Sequence, residues 1–365
     1  MVRDVGAPDF REHMRRSTGC TLRVPTVAER VATHGGFIAF SNVSPGAAYF
    51  LDPDCFGHVY HRFGSFAPGG GPITGADALM VSHDLAGDAA MTQRFCSEVL
   101  LRRKPAVAFL WLANPDLTLH GTPLGSPAHR EAMLHADRCV SQVQAVVDML
   151  RADGEDILLL VGSDHGQETI GATVDVMQWL ASEGLQQQLD DGDVAVAGQG
   201  TAALLYATHV GRSPLLACLE RMRQQPWAGD IAVGDALARY GLAAQDGIVA
   251  AVNMAQIDEV NDFGVRGMRW NVAEPGKSPV RGDGQHGGWG VDETQPFLLI
   301  NHPHLPPSTL ADATSLVDIA PTILAFLGLP CDGMDGAAVE ATRSIWPTTP
   351  VSPQPASRST PVLST

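Results

Sequence analysis

The sequence predicts an α/β fold built on a mainly parallel sheet, and three observations carry that prediction. Strand-like apolar runs alternate with helical stretches, the order that parallel strands need for their crossovers. One run, Ala106 to Ala113 in PAVAFLWLANPD, is apolar throughout, as a strand covered on both faces must be. Aspartates and histidines stand just past the C-terminal ends of such runs, in NPDLTLHGTPLGS, GSDHGQE and GDGQHGGWG, and the crevice beyond the carboxyl ends of the strands is where open α/β sheets bind ligands.

Each element follows from its residues. TVAERVATHGG reads as a short helix stopped by glycine, FIAFSNV as the strand after it, and SPGAAYF as a turn. GDAAMTQRFCSEVLLRRK has apolar residues at helical spacing and leads into the apolar strand. SPAHREAMLHADRCVSQVQAVVDMLRADG is a long helix with Ser126 as N-cap and Pro127 in its first turn, and DILLLVG is the strand that follows. Gly166 is expected to free the backbone to turn after Asp164 and His165.

From residue 168 to 279 the texture changes to short strands (DVAVAG, TAALLYAT, DGIVAAVN), a helix (SPLLACLERMRQQ) and glycine-rich loops, which predicts an inserted α+β cap. The polar groups of VNDFGVRGMRW, Asn261, Asp262, Arg266 and Arg269, are expected on a surface loop of this cap. A core of residues 1–167 and 280–345 encloses it, with a closing strand, PFLLINH, and a helix, SLVDIAPTILAFLGLP. Residues 346–365 are rich in Pro, Ser and Thr and read as a disordered tail.

Composition narrows the function classes. The chain has 365 residues, 45% hydrophobic and 18% charged, enough for a large core. Its 24 Lys+Arg against 40 Asp+Glu give −16, a field that repels nucleic-acid backbones and anionic membranes. Nucleic-acid polymers and membranes are therefore not expected partners. No apolar run is long enough to span a bilayer, and MVRDVGAPDF lacks the order of an export signal, so the chain as written reads as cytoplasmic. The six cysteines stand far apart with no C-x-x-C pair, as buried thiols do.

The ligand chemistry is sharper. Asp116, His120, Asp164, His165 and His286 all follow predicted strands. Two carboxylates and three imidazoles are zinc or manganese ligands, and five suit two metals better than one. A pair of divalent ions roughly 3.5–4 Å apart stabilises both the attacking and the leaving oxygen of an in-line displacement at phosphorus. His58, His61, His302 and His304 lack that placement and read as surface or packing residues.

These motifs resemble a family. PDLTLHGTPLGS resembles the Pro-Asp-x-x-Gly-His-x-x-Gly-Pro segment of the type I phosphodiesterases and nucleotide pyrophosphatases of the alkaline phosphatase superfamily, SDHGQE their Ser-Asp-His-Gly-Met, QHGG their final His-Gly, and SLVDIAPTILAFLGLPCDGMDG the superfamily's closing helix and turn. The resemblance implies an alkaline-phosphatase-like fold and two divalent metals, Zn2+ or Mn2+. Asp116, His120 and His286 would hold one metal, and Asp164 with His165 would supply two ligands of the other. It also implies a small phosphorylated substrate.

Two departures accompany it. Leu119 replaces the family's glycine before the histidine, which is expected to change loop packing more than ligand identity. The family's first strand, with its metal-binding Asp and its Ser or Thr nucleophile, has no counterpart in residues 1–25. Ser17 and Thr18, beside a glycine in RRSTGCT, are the candidate nucleophiles there, with an ordinary helix terminus as the competing reading. The chain is therefore expected to lack the first strand, and a non-catalytic remnant or a phosphomonoesterase or phosphomutase-like relative is the alternative to a phosphodiesterase. A sulfatase is not expected, because CTLRV at Cys20 does not fit Cys-x-Pro-x-Arg.

Overall fold

The computed structural model describes residues 5–274, 276, 278–310 and 313–347. The chain divides into two compact units, one of residues 114–136 and 162–298, the other of 4–113, 137–161 and 299–365 as far as these are described. Among the described residues no helix is long and apolar enough to cross a membrane.

The second of these units is built on a five-stranded sheet of β1 (Phe37–Ser41), β2 (His58–His61), β3 (Ser65–Phe66), β4 (Pro72–Ile73) and β5 (Val107–Trp111), in the order β4-β3-β2-β1-β5. β1 runs parallel to both β2 and β5, with Ala39 opposite Val59 and Phe109. Side chains alternate across it as a period of two requires. Ile38 and Phe40 face a cluster with Met91, Phe95, Val143 and Val147, while Phe37 and Ala39 face one with Val31, Tyr49 and Leu324. Both faces are thus covered, and β1 is buried along its length.

Three expectations change in this unit. β5 ends the sheet instead of standing in its middle, and its last four residues are only half-buried because one edge has no strand in the sheet order. SPGAAYF is a helix, Pro45–Phe50, since Pro45 supplies the preset φ of a first helical position. The helix predicted over 87–104 is α-helical from Leu85 to Arg94 and continues in the wider π-helical form from Phe95 to Arg103. The described residues ahead of β1 form two helices, Phe10–Thr18 and Val27–Val31, so no strand among them precedes it. Thr26 caps the second by accepting from the Glu29 amide.

The long helix runs from Pro127 to Ala152, capped by Ser126, whose hydroxyl accepts from the His129 amide. β6 (Leu159–Gly162) pairs with the late strand Leu298–Asn301 in a separate two-stranded sheet. Trp346 donates its indole N–H to Thr342, and the tail expected beyond residue 347 lies outside the described residues.

The other unit holds two sheets. β7 (Glu168–Val174) belongs to one of them, and β8 (Val194–Gly198), β9 (Ala202–Ala207), β10 (Ala228–Val233) and β11 (Ile248–Met254) form an antiparallel sheet in the order β10-β11-β9-β8. That sheet packs Leu205, Val252 and Met254 against Leu215, Leu219 and Met222 of the helix His209–Met222. The sheet of β7 runs β12-β13-β7-β14, with β12 (Gln256–Val260), β13 (Arg266–Val272) and β14 (Gly284–Gln285). β13 lies parallel to β7 and β14 antiparallel to it. VNDFGVRGMRW is not a surface loop throughout, because Asn261 and Arg269 are buried.

Buried His61, the last residue of β2, makes stability pH-dependent. Its Nε2 donates to the Val43 carbonyl at 2.9 Å and its Nδ1 accepts from the Phe63 amide at 3.1 Å, so the neutral ring is the bonded form. Burial, opposed by the Val43 bond and reinforced by Arg62 and His83, lowers its pKa from 6.5 to about 4. A histidine depressed on folding stabilises the fold fully above its unfolded value, and that contribution is lost as pH falls from 6.5 through 4. The loss is on the order of 3 kcal/mol at most. Thermal denaturation across this window should show a falling melting temperature, and His61→Gln should remove about one proton from the slope.

Candidate metal centre

The candidate ligands are brought together by backbone pairing, starting at β7. In its register with β14, Gln285 stands opposite Glu168 and Gly284 opposite Thr169. His286, one residue past β14, therefore lies beside the loop that carries His165 and Gln167. A second pairing adds the segment after the short helix Asp116–Leu119. Pro123 bridges Asp283, and the Leu124 amide donates to the Gly282 carbonyl at 3.1 Å. Buried Asn261 fixes that segment by donating to the Leu124 carbonyl at 2.8 Å.

The result is a cluster of one carboxylate and two imidazoles. His120 Nε2 and His286 Nε2 each lie 3.4 Å from Asp116 Oδ1, and one ligand atom from each of the three residues falls within 4.8 Å of the others. Asp116 and His120 sit one helical turn apart, so the helix Asp116–Leu119 aims both at one point. Partial burial opposes ionisation of Asp116, but the hydrogen bonds and charges of His120 and His286 outweigh it and hold the carboxyl well below the usual carboxylate range. Side-chain exposures of 42%, 34% and 28% for Asp116, His120 and His286 leave the cluster open to a ligand.

His165 stacks on His286, with ring centroids 3.6 Å apart. Its Nδ1 lies 2.9 Å from the Gly166 carbonyl, which assigns the proton to Nδ1 and leaves a lone pair on Nε2. Asp164 accepts from the His165 amide at 3.1 Å, and its Oδ2 lies 3.6 Å from His165 Nε2. Among the described residues, Asp116, His120 and His286 form the one group of three with metal-ligand spacing, and Asp164 and His165 stand outside it. Ser17 and Thr18 belong to the other unit, exposed at the end of their helix, where their hydroxyls donate to the carbonyls of His13 and Met14.

Gly166 has a different task from the expected turn. A Cβ there would sit 1.9 Å from the Asp292 carbonyl oxygen, so glycine is needed for a close backbone approach. Gly287 combines both demands, with φ of 115° and a would-be Cβ 2.1 Å from the Gln199 carbonyl. Leu119, in the place of the family's glycine, is buried, so the departure is absorbed by packing.

The supports of the cluster are side chains that motif reading passes over. Gln167 donates its amide N–H to Asp116, while its Oε1 is buried with no partner among the described residues. Glu293, 3% exposed, joins the two histidine loops. Its carbonyl accepts from the Gly166 amide at 2.8 Å, and its carboxylate accepts from Gly288 and Gly290 amides at 2.9 and 2.8 Å and from the Thr201 hydroxyl at 2.6 Å. Glu168 pairs with Arg269 at 3.3 Å in the interior. Burial pushes the Glu168 pKa up, Arg269 pulls it down, and Glu293 and Asp292 raise it further. The sequence signals for these residues are slight: Gln167 replaces the methionine of the resembled motif, and Glu293 follows the glycine-dense loop.

Residues 47–223 match the family model described as type I phosphodiesterase / nucleotide pyrophosphatase, which bears out the resemblance read from the motifs. Comparison with curated proteins gives no match. Among solved structures, murine ectonucleotide pyrophosphatase / phosphodiesterase 5 superposes with a TM-score of 0.56 at 14% identity, over 87% of this chain and 74% of that one. An inactive form of that murine protein in complex with AMP gives 0.55 at 15%, over 87% and 74%. Phosphonoacetate hydrolase from Sinorhizobium meliloti, in complex with phosphonoacetate, gives 0.51 at 15%, over 82% and 71%. At these identities the likeness is one of fold, and the mixed α/β architecture with a parallel-containing sheet is the one expected. The matched family is one of hydrolases acting on phosphoester or phosphoanhydride bonds.

Removing the Glu293 carboxylate tests the support. Glu293→Ala would leave the Gly290 amide and the Thr201 hydroxyl without their acceptor in the interior, while the Gly288 amide keeps the Thr201 hydroxyl, at about 1–3 kcal/mol for each buried group. Chemical denaturation should show a lowered midpoint, with Glu293→Gln recovering part of the loss.

Proposed function

We propose that this chain, related through residues 47–223 to the type I phosphodiesterases and nucleotide pyrophosphatases, is a divalent-metal-dependent hydrolase of small phosphodiesters or nucleotide pyrophosphates. The observation that carries the reading is the Asp116, His120 and His286 cluster, whose ligand atoms lie within 4.8 Å of one another on a partly exposed surface. One carboxylate and two imidazoles are a donor set for zinc or manganese, and three protein ligands leave a position open for substrate. The residues fit such an ion: Asp116 is held ionised, and both imidazole Nε2 atoms already converge on it.

An ion held there would supply Lewis-acid polarisation of a phosphoryl oxygen and neutralise charge that develops on it. The protein supplies the rest. Gln167 orients the Asp116 carboxylate through its amide N–H. His165, with its proton on Nδ1, presents an Nε2 lone pair as a second ligand group or proton acceptor. Asp164 beside it adds a carboxylate, so the two residues are proposed as ligands of a second zinc or manganese ion. In a chain of net charge −16, cations at this cluster give an anionic substrate somewhere to bind. The segment 168–279 that supports the cluster is proposed to select the substrate, and AMP bound to the murine relative points to a nucleotide.

Two measurements test the reading. Elemental analysis of purified protein should find zinc or manganese, falling on His120→Ala, His286→Ala and Asp164→Asn; unchanged content in all three would end the metal assignment. Hydrolysis of a nitrophenyl phosphodiester should exceed that of the monoester, and Gln167→Met should lower metal affinity or rate about 10–100-fold, the usual effect of removing a group that orients a ligand. A preference for the monoester would move the chain to the monoesterase side, and metal without any turnover would favour a non-catalytic binding protein.

A further inference from the structure

A pocket of about 250 Å³ in the unit of the five-stranded sheet gathers an unusual set of side chains: His58, Tyr60, Arg94, Arg102 and Arg103 line it together with Asp77 and Glu98. Three arginines against two carboxylates leave one net positive charge, in a protein whose overall charge is −16. Arg94, Glu98 and Arg102 share one helix face at i, i+4 and i+8. Arg103, nine residues after Arg94, would face away in an α-helix, and the wider π-helical turn of Phe95–Arg103 brings it round to them; such widened turns recur at functional sites.

The arginines differ in how far they are already used. Arg94 is committed to the fold, donating to Glu98 Oε1 at 2.8 Å and to the backbone carbonyls of Ala78 and Asp77. Arg102 is 71% exposed and reaches Glu98 Oε2 only at 3.8 Å. Arg103 donates to the Tyr60 hydroxyl at 2.7 Å through one of its five N–H groups. Because that hydroxyl accepts from Arg103, its own proton is left to donate. His58 lies parallel to the Tyr60 ring, with centroids 6.2 Å apart. Burial, with Arg103 beside it, lowers the His58 pKa to about 4, so near neutrality the ring still carries one N–H donor and adds no charge.

We propose that this pocket binds a small phosphate dianion, either inorganic phosphate or a simple phosphate monoester, through Arg102, Arg103 and the Tyr60 hydroxyl. Forked guanidinium donors match the oxygens of a phosphate, and charge-assisted hydrogen bonds of this kind are the strong ones. Glu98 does not oppose the anion, since its carboxylate is turned to Arg94 and Arg102. None of these residues belongs to the Asp116, His120 and His286 cluster, so binding here does not depend on a metal.

Calorimetric titration of chelator-treated protein with inorganic phosphate tests this. Saturable binding is expected, weakened at least tenfold by Arg103→Ala, weakened by Arg102→Ala and by the near-isosteric Tyr60→Phe, and unchanged by Asp116→Asn. A parallel titration with methyl phosphate shows by its tighter or weaker binding whether the ester or the free ion is the better ligand. Absence of saturation at millimolar phosphate, equal affinity in the Arg102, Arg103 and Tyr60 variants, or loss of binding in Asp116→Asn would overturn the proposal. Thermal denaturation of each variant shows that a loss is not unfolding.

Discussion

The candidate centre depends on a two-residue strand pairing. β14 is only Gly284 and Gln285, yet its antiparallel register on β7 puts His286 beside Gln167 and, through the Pro123–Asp283 bridge, beside the segment that carries Asp116 and His120. Strand pairing has a period of two, so a slip of one residue would turn the other face of β14 toward β7 and carry His286 away. The glycines around it make the register possible. A Cβ at Gly284 would meet the Gln167 side chain and the Leu119 carbonyl at 2.9–3.0 Å, and one at Gly288 would meet Thr201 at 2.7–2.8 Å.

Behind the pairing lies a buried ionic set, Glu168, Arg269 and Glu293, all under 7% exposed. Isolated charges at such depth are costly, and they persist only when paired and hydrogen-bonded. Glu293 meets that condition with three donors, and Arg269 with Glu168 and the Met254 carbonyl. The Thr201–Glu293 and Glu168–Arg269 bonds span 92 and 101 positions of the chain, so the set acts as a clamp on the loops of His165 and His286. A metal ligand must be held in place before the ion arrives, and rigid surroundings lower the ordering cost at binding.

How much of this could be read beforehand follows from the range of each interaction. The strands FIAFSNV and DILLLVG and the helix from Pro127 were legible because periodicity and caps are local. Asp116, His120 and His286 were legible as chemistry because each follows an apolar run. The edge position of β5 was not, since an apolar strand looks the same in the middle of a sheet and at its rim when a core covers both faces. Nor were Arg269 and Asn261, whose burial is decided by Glu168 and Leu124 more than a hundred positions away along the chain. The role of Gly166 is ambiguous in the sequence because a close approach and a turn both ask for glycine, and only the position of Asp292 separates them.

The account stands on Asp116, His120 and His286 holding one divalent ion, and cobalt(II) reports this directly through its visible spectrum. Titration of chelator-treated protein should produce intense d–d absorption of low-coordinate cobalt, saturating at a defined stoichiometry and lost in Asp116→Asn. A spectrum that stays that of hydrated six-coordinate cobalt at every ratio, or one that Asp116→Asn leaves unchanged, would contradict it.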